Sequence, residues 1–260
     1  MKQELRIFFT ALLFYTRIPC PPSIDHDPEY VNKATRYFPL IGWIVGGISF
    51  LVYCLSETLF ETNTAVLLSM TAGILATGAF HEDGLADTAD GFGGGWTKNQ
   101  ILEIMKDSRI GTYGTTALLL ALLIKWNTLD NILNNEKNWL VTLLLFVSCH
   151  AIARLTAILL VFTSTYARED SGSKAKPLAT SYSLKEVIGA SIFGLLPLMA
   201  LSLLKPQAAI TILPLTLLFA YAKRYYEKWL GGYTGDCLGA VEQIAECFFL
   251  ITLSALWKFM

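Results

Sequence analysis

Charge is scarce in this sequence. Only 16% of its 260 residues are Asp, Glu, Lys or Arg, where a soluble domain carries about 25%. That deficit excludes a well-solvated globular surface. The five cysteines (Cys20, Cys54, Cys149, Cys237 and Cys247) form no CxxC pair, so the common zinc and dithiol frameworks are excluded and apolar packing remains. With a net charge of −1 and no basic stripe interleaved with aromatics, nothing points to nucleic acid. Internal repeats and low-complexity tracts are absent. The first apolar run is brief and no small-residue cleavage site follows it, so no signal peptide is expected.

What is present is apolar: 53% of the residues are hydrophobic and the mean hydropathy is +0.48. Seven runs stand out, at roughly 38–55, 64–80, 111–125, 139–163, 186–204, 206–222 and 237–257. A helix of 17 residues reaches about 26 Å, close to the thickness of the hydrocarbon layer. The expectation is an all-α, polytopic transmembrane bundle forming a single domain over 1–260. An interfacial N-terminal helix covers Ile7 to Tyr15, which is too short to span. The third run is short. The fifth and sixth are separated only by Lys205 and Pro206, which predicts a tight hairpin or one broken element. Lys and Arg divide fifteen against four between alternate loops. The positive-inside rule then puts the N-terminus and the rich loops in the cytoplasm and the C-terminus outside.

Residues 81–95 read HEDGLADTADGFGGG. On a helix, Asp83, Asp87 and Asp90 fall at i, i+4 and i+7, three carboxylates on one face at the end of an apolar run. Carboxylates that close repel one another unless a cation lies between them, and Mg²⁺ takes a few carboxylates together with waters and phosphate oxygens. Glu82 points about 100° away from Asp83 and is the weaker ligand candidate. His81 is placed to orient a carboxylate or to contact substrate. Gly93, Gly94 and Gly95 offer unobstructed backbone N–H groups to phosphate.

Other polar segments fall on the same side in this topology. Residues 104–114, IMKDSRIGTYG, supply Lys106 and Arg109 for phosphate oxygens, and Asp107 to accept from Arg109 or from a substrate hydroxyl. Gly111 and Gly114 let the chain turn into the next span. Residues 231–240, GGYTGDCLGA, hold a lone carboxylate, Asp236, before the last span. Arg17 in the first loop suits phosphate or simple anchoring. Residues 166–176, with Arg168, Glu169 and Asp170, read as a polar lid. Within the spans, Glu242 and Glu246 are one turn apart, as are His150 and Arg154. Ionisable groups at such depth face an interior cavity, as pocket or as interhelical contact.

HEDGLADTADGFGGG followed by IMKDSRIGTYG resembles the cobalamin synthase (adenosylcobinamide-GDP ribazoletransferase) family. TRIP at 16–19, FPLIGWIVGG at 38–47, YAR at 166–168 and GGYTGDCLGA at 231–240 extend the likeness through most of the chain. The resemblance implies a Mg²⁺-dependent enzyme of the bacterial cytoplasmic membrane. It would join adenosylcobinamide-GDP to α-ribazole or its 5′-phosphate, releasing GMP and forming adenosylcobalamin or its 5′-phosphate. On that reading Asp83, Asp87 and Asp90 hold the metal, Lys106 and Arg109 neutralise the pyrophosphate, and Asp90 or Asp236 takes the proton from the attacking hydroxyl. Glu82 occupies a position at which the family varies.

Two other readings stand beside this one. Membrane CDP-alcohol phosphotransferases also carry an acidic DG helix, but with an aspartate where Phe80 stands and an arginine where Asp87 stands. A transporter would use the intramembrane Glu242, Glu246, His150 and Arg154. Oligomeric state is open, with Gly42 and Gly46 as one candidate dimer face.

Overall fold

The computed structural model describes residues 2–21, 28–168 and 182–259. Eleven α-helices make up the described fold: α1 (Lys2–Tyr15), α2 (Pro28–Ala34), α3 (Phe38–Glu57), α4 (Thr62–Thr77), α5 (Phe80–Gly94), α6 (Lys98–Ile104), α7 (Thr112–Asn135), α8 (Trp139–Val161), α9 (Leu184–Leu204), α10 (Ile212–Leu230) and α11 (Gly235–Trp257). Short 3-10 turns cover Thr35–Tyr37 and Pro206–Thr211. Among the described residues there is no strand, only one bridge between Tyr166 and Tyr233. The fold is all-α, as the apolar runs imply.

Five segments are long and apolar enough to cross a membrane: Glu29–Glu57, Thr112–Asn135, Trp139–Val161, Leu184–Leu204 and Gly235–Trp257. The pair α4 and α5 adds a sixth if counted as one bent span. The sixth apolar run does not form a single span. Its first residues make the 3-10 turn at Pro206–Thr211, and α10 then runs on into Lys223, Arg224 and Lys228. The third run is longer than its hydropathy suggests, because α7 continues to Asn135. Lys125, which ends the apolar stretch, is not a loop residue but a buried one, its Nζ 3.0 Å from Glu246. It therefore leaves the charge tally, which becomes fifteen against three.

At the centre lie α8, buried along most of its length, and α11. Gly42 and Gly46 fit α3 against α8: a Cβ on Gly42 would lie 2.6 Å from the His150 carbonyl oxygen, and one on Gly46 2.7 Å from that of Phe146. This pair is consumed inside the protomer, which removes it as a dimer face. The cysteines are all free.

The second apolar run breaks two residues early. Gly78 (φ 70°) and Ala79 (φ 59°) both adopt the left-handed conformation, and α5 leaves α4 at 87°. For alanine that conformation costs about 1–2 kcal/mol, so the bend is held by its surroundings. Arg17 packs its side chain over Gly78, and its N–H donates to the Ala76 carbonyl at 2.8 Å. The turn swings the acidic helix out of line with the span and lays it across the end of the bundle.

Candidate active site

The DG and LGA glycines do one job together. Where α5 crosses α11, a Cβ on Gly84 would lie 2.9 Å from the Asp236 carbonyl oxygen and 3.1 Å from the Gly239 Cα. A Cβ on Gly239 would lie 3.0 Å from the His81 carbonyl oxygen. The helices therefore touch backbone to backbone, which brings the acidic face of α5 beside the start of α11. Gly84→Val is expected to push the two apart and lower kcat by about 100-fold, the cost of misplacing reacting groups by roughly 1 Å. Steady-state kinetics on folded, monodisperse protein checks it.

Asp83 is exposed and Asp87 half-buried on this face. Asp236 joins them from α11, whose N-terminus is capped by the Thr234 hydroxyl accepting from the Cys237 N–H at 3.3 Å. Burial, then the neighbouring Asp83 and Asp236, push the Asp87 carboxyl up to about 7, with Arg168 offsetting part of the rise. A cluster that resists ionising its middle member is one that a cation would relieve. Asp236 was expected as a lone carboxylate, yet Arg168 Nη2 donates to its Oδ2 at 2.7 Å. Two backbone bonds hold Arg168 there: the Ala167 N–H donates to the Tyr233 carbonyl at 2.8 Å, and the Tyr233 N–H to the Thr165 carbonyl at 2.9 Å. The YAR and GGYTGD segments thus pair as a two-residue ladder, a contact across 68 residues that no local spacing reveals. The rest of the expected lid, residues 169–181, lies outside the described residues.

Asp90 has a different task. Its carboxylate accepts from the Gly111 N–H at 2.6 Å and the Gly114 N–H at 2.9 Å, anchoring the first turn of α7. A Cβ at either glycine would overlap that carboxylate, which explains both glycines better than a need to turn. One backbone donor on each oxygen fixes the orientation of the Asp90 carboxylate. It ties the 104–114 segment to α5.

Three further expectations change on the structure, and Asp107 keeps one of the two roles expected of it. Gly93 and Gly94 lie in the last turn of α5, where carbonyls, not N–H groups, are left free. Gly93 has no side chain because the Tyr113 ring occupies that space. His81 is only 1% exposed and faces inward, away from the acidic face, its Nδ1 3.9 Å from Glu242. Asp107 is the partner of Arg109 (Nη2 to Oδ2, 2.6 Å), and that pairing holds the Asp107 carboxyl down at about 2. The Arg109 side chain remains 86% exposed, so the pair can open toward a phosphate at little cost. Lys106, also exposed, stands in the same segment. Arg17 is a clamp on the Gly78 bend, with an exposed side chain.

Behind the acidic face lies a second, buried polar cluster. Arg154 Nη1 is 2.8 Å from Glu242 Oε1 and 3.8 Å from Glu246 Oε1. His150 Nδ1 is 2.5 Å from Glu246 Oε1, and Lys125 Nζ donates to Gln243 at 2.6 Å. Gln243 donates in turn to Glu82 at 3.1 Å and to Glu242 at 3.0 Å. The intramembrane charges thus pair chiefly with one another. Among the described residues, His150, Glu242 and Glu246 are the one group of three whose ligand atoms all lie within 4.8 Å of one another. The Arg154 guanidinium already sits between the two carboxylates, so that group needs no metal. A cavity of about 40 Å³ adjoins it, bordered by the unpartnered Ser49 Oγ, His81 Nε2 and Glu82 Oε2. At roughly 10–15 Å³ per water centre it has room for about three or four waters.

Residues 7–254 match the family model described as cobalamin-5-phosphate synthase. A relative from Shewanella amazonensis named adenosylcobinamide-GDP ribazoletransferase is 44% identical, covering 99% of this chain and 98% of its own. One of the same name from Shewanella frigidimarina is 43% identical over 97% of this chain and 95% of its own. A third, from Shewanella pealeana, is 44% identical over 96% of each. No solved structure matches the chain. These matches decide against the phospholipid-synthase and transporter readings, and the chain belongs to the cobalamin-5-phosphate synthase family.

Proposed function

We propose that this enzyme joins adenosylcobinamide-GDP to α-ribazole or its 5′-phosphate, releasing GMP, with Mg²⁺ held by Asp83, Asp87 and Asp236. The single observation that carries the metal reading is that Asp87 lies partly buried beside Asp83 and Asp236, burial first and then those two carboxylates pushing it up to about 7. When bound, the divalent ion supplies charge neutralisation on the pyrophosphate oxygens. The protein's own residues do the rest. Gly84 and Gly239 fix the spacing of the acidic groups. Asp90 holds the 104–114 segment beside them, so that Lys106 and Arg109 stand ready for the outer phosphate oxygens. The exposed face leaves room for a large corrinoid substrate. We place this face at the cytoplasmic side of the bacterial inner membrane, a reading supported by the Lys and Arg bias.

The test is GMP release by the purified full-length protein with both substrates, with and without Mg²⁺. Turnover only with all three components is expected. GMP release indifferent to α-ribazole, or turnover undiminished by chelator, would overturn the reading. A pH dependence follows as well. Below about 7 the Asp87 carboxyl holds a proton that a metal must displace. Apparent Mg²⁺ affinity is therefore expected to fall as the pH drops from 8 to 6, by up to about tenfold per unit below 7. Titration calorimetry in two buffers of different ionisation enthalpy would detect the released proton.

A further inference from the structure

We infer that Arg168 is a reserve cation of this site. It neutralises Asp236 while the site is metal-free, and turns to a substrate phosphate once a divalent ion takes that carboxylate. The inference rests on the proposed Mg²⁺ reading.

Three observations place Arg168 in this role. The guanidinium donates through Nη2 to Asp236 Oδ2 at 2.7 Å and also meets the Tyr166 side chain. Its Nε is buried and has no hydrogen-bond partner among the described residues, so the donor fork is only partly used. Asp236 is shared, because the close approach of Gly84 to its backbone sets it beside the acidic face of α5 while Arg168 holds its carboxylate. One carboxylate thus belongs to both the arginine and the acidic cluster. A divalent ion held by Asp83, Asp87 and Asp236 would meet a guanidinium already bonded to its third ligand, and two cations on one carboxylate repel. On this inference the arginine then releases Asp236. Its backbone is pinned by the Tyr166–Tyr233 bridge, so only the side chain can move, and it stays within reach of the acidic face. A pyrophosphate bridging the metal presents oxygens that suit its bidentate fork.

The consequence is opposite in sign for metal and substrate. Arg168→Ala removes a competitor of the ion, so Mn²⁺ binding to the full-length enzyme without substrate is expected to tighten about tenfold, read by electron paramagnetic resonance of free Mn²⁺. The same variant is expected to lose about 100-fold in kcat/KM for the pyrophosphate substrate, with partial rescue by millimolar guanidinium. Arg168→Lys keeps the charge without the fork. It should leave Mn²⁺ affinity near the native value while still losing at least tenfold in kcat/KM, so a folding defect in the alanine variant does not end the test. Unchanged or weaker Mn²⁺ binding by a folded Arg168→Ala protein overturns the inference, as does tighter binding with full activity. Native enzyme that binds no Mn²⁺ defeats the underlying metal reading, and the inference with it. Native enzyme that binds Mn²⁺ while the alanine variant binds it identically defeats the inference alone.

Discussion

Asp87→Asn is expected to lower kcat/KM by at least about 1,000-fold, some 4 kcal/mol of transition-state stabilisation, while leaving the metal-free protein as stable as the native one or more so. Loss of function with gain of stability separates a residue kept for chemistry from one kept for the fold. The argument is electrostatic. Burial, and after it the neighbouring Asp83 and Asp236, raise the Asp87 carboxyl from 3.8 to about 7. A carboxyl whose folded pKa lies above its unfolded one holds its proton more tightly in the native state. The metal-free fold then loses stability as pH rises from about 4 to about 7, and the full penalty is present above that window. Asparagine keeps the shape, carries no charge and flattens the dependence. Thermal unfolding in detergent with chelator, at pH 5 and pH 8, should show a native Tm that falls with pH and a variant Tm that does not. Adding Mg²⁺ at pH 8 should raise the native Tm only. An asparagine variant that turns over normally at saturating Mg²⁺ would remove Asp87 from the site.

The acidic helix was legible because it is local. Its three aspartates share a face by spacing alone, and no tertiary information is needed to see that they repel. That Glu242, Glu246, His150 and Arg154 face the interior was legible from their depth in apolar helices, but not that they pair with one another. What the sequence hid depends on approach between distant segments. Arg168 reaches Asp236 through a bridge 68 residues apart in the chain. Gly84 carries no local sign of the helix crossing it serves, and Gly95 reads as a phosphate-binding glycine, yet a Cβ there would meet Ile101. Gly93 reads the same way and serves the Tyr113 ring. The helical register of Asp90 does not reveal that the Gly111 and Gly114 N–H groups at the start of α7 bond its carboxylate. Lys125 looked like a loop anchor because hydropathy cannot distinguish a charge that ends a span from one neutralised inside it. His81 and Glu82, adjacent to Asp83 in sequence, face inward instead, because α5 packs that side onto α11.

That inward face makes the second large effect predictable. Arg154→Met is expected to destabilise the protein by about 3–5 kcal/mol, the usual cost of leaving a buried charge without its partner. The side chain is 1% exposed, its Nη1 is 2.8 Å from Glu242, and the same nitrogen donates to the His150 carbonyl at 2.9 Å. Its guanidinium carbon also lies 5.7 Å from the centre of the Phe38 ring. Methionine fills much of the same volume, so the loss would be chiefly electrostatic. It would leave the buried Glu82, Glu242 and Glu246 facing Lys125 as the one obligate cation of the cluster. Adding Glu242→Gln to Arg154→Met should therefore recover part of the stability, although it removes a second native group, because the orphaned carboxylate is gone. Ordinary packing damage would make the double variant worse than either single one. Size-exclusion of heated, detergent-solubilised protein measures all three variants. Activity should follow stability here, unlike Asp87→Asn, because His81 and Gln243–Glu82 join this cluster to the buried side of α5. A cluster that loosens would let the acidic face drift, so surviving Arg154→Met protein should show a lower kcat. A variant as stable and as active as the native enzyme would mean that the buried charges neither hold the bundle nor support the site.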